Sequence, residues 1–165
     1  MSLPAILILF LTLAAQTPRP SEPTVMKEAR VTKPAKGSFD VKVAPLAQGA
    51  REGTWAPGRM FLDKRFQGDL EATSQGEMMT AMSEAKGSGG YTAFEQVEGT
   101  LHGRRGSFVL MHHGLMTGGV PGEWGVVVVP DSGTGELKGL AGRMTITITE
   151  KDHAYALEYT LPGAP

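Results

Sequence analysis

Apolar and polar residues alternate along much of the chain, with the two-residue period of half-buried β-strands. The alternation runs through residues 60–71, 144–149 and 153–161, and glycines separate most of the segments. Residues 39–43, 76–82, 91–101, 107–116 and 124–129 also have the composition of strands. Together these segments predict eight strands.

No stretch of ten or more residues shows a capped helical period, so we expect an all-β fold. Short connections at Gly103-Arg104 and Lys151-Asp152 indicate antiparallel hairpins. Eight antiparallel strands within residues 37–163 favour a closed up-and-down barrel over a sandwich, because closure removes exposed strand edges.

Two of the predicted strands are apolar on both faces. In residues 107–116 and 126–129, the odd-numbered and the even-numbered positions are both mostly hydrophobic. One face of a barrel strand lies outside, so outward apolar residues need a cover. A second copy of the chain is the simplest cover and predicts a homo-oligomer; the alternative is that the N-terminal arm or long loops lie across them.

The N-terminus differs from the rest of the chain. Residues 3–13 are mostly apolar and precede Ala14 and Ala15, which is typical of a secretory signal peptide over residues 1–15. This predicts a periplasmic or secreted protein without a stable membrane span after cleavage; the alternatives are a membrane-surface segment or a misassigned start. Residues 16–36 are Pro-rich and net basic, which predicts a disordered linker or, alternatively, a basic tether.

The amino-acid composition excludes several kinds of functional site. The absence of Cys excludes disulfides, thiolate nucleophiles, iron–sulfur clusters and Cys-zinc sites. Lys plus Arg number 16 against 17 for Asp plus Glu, so no strong field favours nucleic acid. Nucleotide-binding motifs are also missing, and we expect no cofactor.

Several long segments resemble a bacterial family known as domain of unknown function 3224. They are GSGGYTAFEQVEGTLHGRRGSFVLMHHG at residues 87–114, VVPDSGTGELKGLAGRMTITI at 128–148 and HAYALEYTLP at 153–162. The resemblance implies an eight-stranded barrel similar to that of allene oxide cyclase and, more loosely, to dirigent proteins. Those relatives hold small hydrophobic molecules in their barrels and steer ring closure or coupling, often as oligomers. It implies cofactor-free isomerisation or cyclisation as the reaction class, and it carries over no catalytic residue.

Two glutamates and a tyrosine are the candidate catalytic residues. The odd-numbered face of residues 91–101 is the more apolar one, so Glu95 and Tyr91 should face the lumen. Glu77 shares its face with Met79 and is expected to do the same. A carboxyl group in an apolar cavity has a raised pKa and acts as a general acid or base, and a tyrosine can donate to an oxyanion. The alternative is that each glutamate pairs with a cation at a barrel end: Lys64, Arg104, Arg105 or Arg143.

The predicted ligand-binding residues are Met79, Tyr91, Glu95, Met111 and Tyr155. Methionine adapts to irregular apolar surroundings, so the nine methionines suit either a cavity lining or ordinary core packing.

Two further motifs have simpler explanations. His112 and His113 are adjacent in a strand and point to opposite faces, so they cannot chelate one metal, and no metal site is predicted. Asp131 and Ser132 lie between strands and are expected to bond their own backbone and form a turn.

The sequence therefore predicts an exported barrel that binds a small, largely apolar molecule in its lumen. The alternative is a filled barrel that acts as an oligomeric structural or interaction module. A lipocalin-type carrier is a third interpretation, because Gly53-Thr54-Trp55 matches its G-x-W signature, although Pro57 and Gly58 follow at once.

Overall fold

The computed structural model describes residues 32–47, 55–149 and 152–162. The predicted signal peptide, most of the predicted linker, and Gly53 and Thr54 lie outside these residues. The described residues form eight strands, in chain order: β1 (Thr32–Pro45), β2 (Gly58–Gly68), β3 (Leu70–Met82), β4 (Gly89–Leu101), β5 (Arg104–Thr117), β6 (Val120–Val128), β7 (Ala141–Ile148) and β8 (His153–Thr160).

The strands form one closed antiparallel sheet. Each strand pairs with the next, and β8 pairs back onto β1. Phe39 of β1, for example, lies opposite Phe66 of β2 on one side and His153 of β8 on the other. The prediction of an all-β, eight-stranded antiparallel up-and-down barrel is confirmed.

The alternating stretch at residues 60–71, expected as one strand, contains a turn. The chain reverses at Gly68 and Asp69, where Gly68 has the positive φ of +103° that favours glycine. The Asp69 N–H donates to the Lys36 carbonyl at 3.0 Å, and the Lys36 N–H donates to Asp69 Oδ2 at 2.8 Å. The apolar–polar alternation continues in phase across this turn, so the pattern alone does not reveal it.

Strand β1 begins earlier than the domain boundary expected at residue 37. Residues 32–36 pair with β8 only, whereas pairing with β2 starts at Gly37. A strand segment with one neighbour tolerates a proline such as Pro34, which has no N–H to donate. Ala35 in this segment is fully buried, so part of the predicted linker belongs to the barrel.

The hydrophobic core fills one end of the lumen. Large buried side chains come from inward positions on most strands, and the segment between β6 and β7 adds Leu137, in a short 3-10 turn at Gly135–Leu137, and Leu140. We call this end, where Gly68, Leu101 and Leu140 lie, the packed end. Within the described ranges, no helix has the length and apolar character that crossing a bilayer requires.

Candidate functional site

A layer of four polar side chains crosses the middle of the lumen. Lys64, Ser74, Glu95 and His112 are all buried. Lys64 Nζ lies 2.8 Å from Glu95 Oε1, and His112 Nε2 lies 2.7 Å from the same oxygen. The Ser74 hydroxyl donates to Glu95 Oε2 at 2.8 Å. One carboxylate thus collects three donors, and we call this group the polar layer.

Strand register brings these residues together. Lys64 of β2 lies opposite Ser74 of β3, and Glu95 of β4 lies beside Gly76, two residues further along β3. His112 of β5 lies opposite Ala93, which shares the inward face of β4 with Glu95. Four consecutive strands therefore each supply one member.

The polar layer keeps Glu95 ionised. Burial raises the pKa of this carboxyl, but the hydrogen bond from His112 and the charge of Lys64 lower it more, from 4.5 to about 2. Lys64 also lies over the rings of Phe39 and Phe66, with Nζ 5.1 and 5.9 Å from their centroids. The lysine charge is thus balanced by a carboxylate and by two aromatic faces.

His112 has one ring nitrogen in use and one free. An ionised carboxylate only accepts hydrogen bonds, so Nε2 carries the proton in the contact with Glu95. Nδ1 has no partner among the described residues. Every fully buried side-chain N or O atom in the described part of the chain has a partner, so Nδ1 must touch accessible space.

An apolar pocket of about 530 Å³ opens above the polar layer, at the end of the lumen opposite the packed end. We call this the open end. Its wall comes from β3 to β7 and includes Met78, Met82, Tyr91, Met116, Trp124 and Ile146. Val126, also in the wall, is the cross-strand neighbour of His112. The pocket wall therefore reaches the strand position beside His112, although His112 itself does not line the pocket.

Tyr91 lies across the β5 backbone in this pocket. A Cβ atom at Gly114 would lie 2.5 Å from its ring, so only glycine lets the ring approach so closely. Burial raises the pKa of the Tyr91 phenol, which stays protonated at neutral pH. Tyr91 thus offers a hydroxyl donor on the pocket wall.

A larger concavity, about 920 Å³, lies on the outside of β1 to β4. Its lining is polar and includes Asp40, Arg65, Glu71 and Glu98. Arg65 points away from the lumen, whereas its neighbour Lys64 points into it, so the sheet separates this groove from the polar layer. Across residues 32–47, 55–149 and 152–162, no three His, Asp or Glu side chains are grouped as metal ligands.

The comparisons with known proteins agree with this architecture. The family model described as "Protein of unknown function (DUF3224)" matches residues 35–159. A crystal structure of a DUF3224 protein of unknown function from Shewanella oneidensis is 49% identical in sequence, with a TM-score of 0.73. The match covers 81% of this chain and all of that one. The chain belongs to the DUF3224 family. No curated protein matches it.

Three of the predicted site residues of this DUF3224 barrel lie inside it. Glu95 and Tyr91 share the inward face of β4, as expected, and Glu95 lies in the polar layer while Tyr91 lies in the pocket wall. Glu95 also pairs with Lys64, one of the cations considered as partners for the glutamates, but the pair lies inside the lumen and not at a barrel end. Tyr155 is buried towards the packed end, where its hydroxyl accepts from the Leu70 N–H and donates to the Gln67 carbonyl.

The other three predicted residues lie on the outer surface, and their expected lumen placement is wrong. Glu77 is exposed and pairs with Arg59. Met79 follows it on the same outer face, and Met111 of β5 lies opposite the exposed Phe94. Both faces of these segments carry apolar residues, so alternation alone does not determine which face is inside. The strand register determines it. Gly76 is the cross-strand partner of Glu95 and therefore shares its inward face, so the next residue along the strand, Glu77, points outward.

Lys64, Ser74 and His112 were not among the predicted site residues. A signal for Lys64 was present, because it interrupts the apolar face formed by Leu62 and Phe66. A charged residue on an inward face requires a partner. His112 and His113 do face opposite sides, but only the structure shows which one is buried.

The predicted turn at Asp131 and Ser132 is present. The Ser132 hydroxyl donates to the Val129 carbonyl at 2.7 Å and accepts from the Val109 N–H at 3.0 Å. Asp131 has a positive φ of 59°. This motif therefore serves the connection that closes the packed end.

Proposed function

We propose that this DUF3224 barrel binds a small, predominantly apolar molecule in the pocket at its open end. The observation that supports this is the pocket itself, whose volume of about 530 Å³ lies in the range of ligand sites. Apolar walls with a few convergent polar groups are the usual composition of such sites. Here the polar groups are the side-chain hydroxyls of Tyr91 and Thr80.

Exposure at the rim supports the same proposal. Met82 and Ile148 are 58% and 69% exposed although both are apolar. Both also line the pocket. An apolar molecule seated there would remove this surface from water, with a gain that scales with the area buried.

The test uses N-phenylnaphthylamine, an uncharged probe whose fluorescence rises in apolar surroundings. Two adjacent methionines supply a matched pair of variants: Met78→Trp puts a large ring into the pocket, whereas Met79→Trp puts it on the outer face. We expect the probe to bind the wild type and Met79→Trp, and to lose at least tenfold in affinity for Met78→Trp. Equal affinity for both variants, or no binding to the wild type, would contradict the proposal.

A second candidate function is an oligomeric interaction module acting through the outer face. Phe94 is 53% exposed and lies beside Met111, which in turn pairs with Val127. These three form an outward apolar row on β4 to β6. Native mass spectrometry tests this candidate: a dimer or trimer that Phe94→Glu converts to a monomer supports it, and a wild-type monomer contradicts it. The same spectra report any co-purified small molecule.

Cofactor-free isomerisation or cyclisation, implied by the resemblance to allene oxide cyclase, remains a prediction about the pocket. Export also remains a prediction, supported by the apolar run at residues 3–13. Cell fractionation together with N-terminal sequencing of the mature protein tests export. A chain that begins at Met1 in the cytoplasm would contradict it.

A further inference from the structure

We propose that the molecule bound in the open-end pocket is peptide-like: an uncharged, apolar molecule whose amide groups pair with a free strand edge in the pocket wall. That edge is the side of β7 that faces β6 at Ile146 and Ile148, and we call it the β7 edge. The inference rests on the proposed binding function and names the chemical class of the ligand.

The pairing between β6 and β7 is short. Every residue of β7 pairs with β8 on one side. On the other side, pairing with β6 is confined to residues 143–144, which lie opposite residues 126–127. Within the described part of the chain, residues 145–148 therefore have a strand partner on one side only.

A β-bulge lies in the part of β6 that has separated from β7. Gly114 of β5 is opposite Trp124, whereas Met116 is opposite Pro121. Between these two pairs β5 has one residue and β6 has two, and an extra residue bends the strand that carries it. The bend and the loss of pairing together leave a gap in the barrel wall at the open end.

The backbone of Ile146 and Ile148 points into this gap. The Thr149 N–H donates to the Asp152 carbonyl at 2.9 Å, so the backbone groups of Thr149 are directed at β8. In an antiparallel pair, successive residues direct their N–H and C=O to opposite sides of the strand. Ile146 and Ile148 consequently direct theirs at the β6 side, as does Met144, where the pairing with β6 ends.

The β7 edge borders the pocket. Ile146 and Ile148 line the pocket on one side of the gap, and Pro121 and Trp124 line it on the other. A strand edge with unpaired N–H and C=O groups binds an extended peptide backbone, and adjoining pockets take the side chains. A ligand with amide groups can therefore pair with the edge and fill the pocket at the same time.

The pocket lining also restricts the charge of the ligand. Among the described residues that form it, none has a charged side chain. A carboxylate or ammonium group transferred there from water would lack a countercharge, which is unfavourable. We therefore expect a blocked or internal peptide segment rather than a free amino acid.

Displacement of N-phenylnaphthylamine tests this ligand class. The test compound is acetyl-leucyl-leucine methylamide, and its control is the analogue in which an ester oxygen replaces every amide N–H. The ester analogue keeps the side chains and the carbonyl groups but has no N–H to donate. We expect the amide to bind about threefold to tenfold more tightly, in line with one net hydrogen bond.

Equal or tighter binding of the ester would overturn the inference. Failure of both compounds to displace N-phenylnaphthylamine would also overturn it. The proposed function stands in either case, because the pocket still binds the apolar probe. If N-phenylnaphthylamine itself does not bind, the proposed function and the inference both fall.

Amide hydrogen exchange on the wild type tests the β7 edge directly. In the free protein we expect the N–H groups of Ile146 and Ile148 to exchange faster than those of Thr145 and Thr147, which are directed at β8. With the amide at about ten times its dissociation constant, exchange at Ile146 and Ile148 should slow about tenfold. Uniform exchange along residues 145–148, or rates that the amide leaves unchanged, would overturn the inference. Protection that appears when the protein is concentrated without ligand would do so too, since a second copy would then occupy the edge.

Two variants at one position separate the backbone from the side chain. Ile148→Pro removes the N–H that is directed at the gap and leaves the hydrogen bonds of Thr147 to β8 in place. Ile148→Ala shortens the side chain but keeps that N–H. Relative to their affinities for N-phenylnaphthylamine, we expect Ile148→Pro to bind the amide about threefold to tenfold less tightly than Ile148→Ala. Equal relative affinities would contradict a role for the β7 edge.

Discussion

The two ends of the lumen are built from the same strands but differ in how their space is filled. At the packed end, Phe66, Leu70 and Phe108 point inward, and Leu137 and Leu140 add two further side chains from the connection between β6 and β7. At the open end, Gly114 replaces a side chain on the inward face of β5, and Met82 and Trp124 are 58% and 43% exposed.

We therefore expect the packed end to contribute most of the stability of the barrel and the open end to contribute most of its capacity for binding. Side chains packed at high density stabilise the fold, and removing a buried methylene group there lowers the free energy of unfolding. Exposed apolar residues around a pocket contribute little to folding and are available for contact with another molecule. The polar layer marks the boundary between these two regions.

The largest effect is expected at that boundary. Glu95→Gln leaves the buried Lys64 without a countercharge, which should lower the free energy of unfolding by about 3–5 kcal/mol. Urea denaturation measures this. Glu77→Gln is the control, because the exposed pair with Arg59 should contribute no more than about 1 kcal/mol.

A second variant checks the cause of that loss. Lys64→Met combined with Glu95→Gln removes the unpaired charge, so we expect much of the lost stability to return. If Glu95→Gln lowered the free energy of unfolding no more than Glu77→Gln does, the polar layer would not be stabilising the barrel.

The packed end itself is tested by Leu137→Ala. This residue is 1% exposed, so the cavity left behind should cost about 3 kcal/mol of unfolding free energy. We expect affinity for N-phenylnaphthylamine to stay unchanged at a temperature where the variant is folded. A parallel loss of probe binding would show that the two ends are not independent.

Low pH tests the contribution of the polar layer to stability, because acid protonates the Glu95 carboxylate. Because Glu95 has a pKa of about 2 in the folded barrel against 4.5 for its ordinary value, its ionised form contributes about 3 kcal/mol above pH 4.5. This contribution is lost as the pH falls from about 4.5 to about 2. Urea unfolding over that range should show the loss in the wild type.

The Lys64→Met, Glu95→Gln double variant serves as the acid control, since it lacks the Glu95 carboxylate of the polar layer. It should lack this part of the pH dependence. An identical slope in both proteins would mean that other carboxyl groups account for the acid sensitivity.

The smallest effect on stability is expected at the open end. Met82→Ala removes a mostly exposed side chain, so the unfolding free energy should change by no more than about 0.5 kcal/mol. Affinity for N-phenylnaphthylamine should nevertheless fall severalfold, since Met82 lines the pocket. A stability loss comparable to that of Leu137→Ala would remove the distinction between the two ends.

The inward faces were predictable where one face was clearly polar. On β4, Ala93, Glu95 and Val97 were expected inside and are buried, and on β8 Tyr155 and Leu157 are buried on the face predicted to be apolar. On β3 and β5 both faces carry apolar residues, so the periodicity assigns neither. Met79 and Met111 were placed wrongly for this reason.

The candidate site was predictable only in part. The alternation on β4 predicts that Glu95 and Tyr91 face the lumen. The contact of Glu95 with His112 depends on the register between β4 and β5, and its contact with Lys64 depends on the registers between β2, β3 and β4. A register relates residues that are far apart in the chain, and a shift by one residue would exchange the two faces of a strand. Local patterns do not contain that information.

The sequence by itself determined that the chain forms antiparallel strands, because side-chain alternation and glycine-rich turns are local properties. It favoured a closed barrel over a sandwich, because closure removes exposed strand edges. It also determined which chemistry is absent, through the lack of cysteine. Only the tertiary structure decided that Lys64, Ser74 and His112 meet at Glu95, and that one end of the lumen is filled while the other is open. Those outcomes depend on how eight strands align around a closed circle, which no single segment specifies.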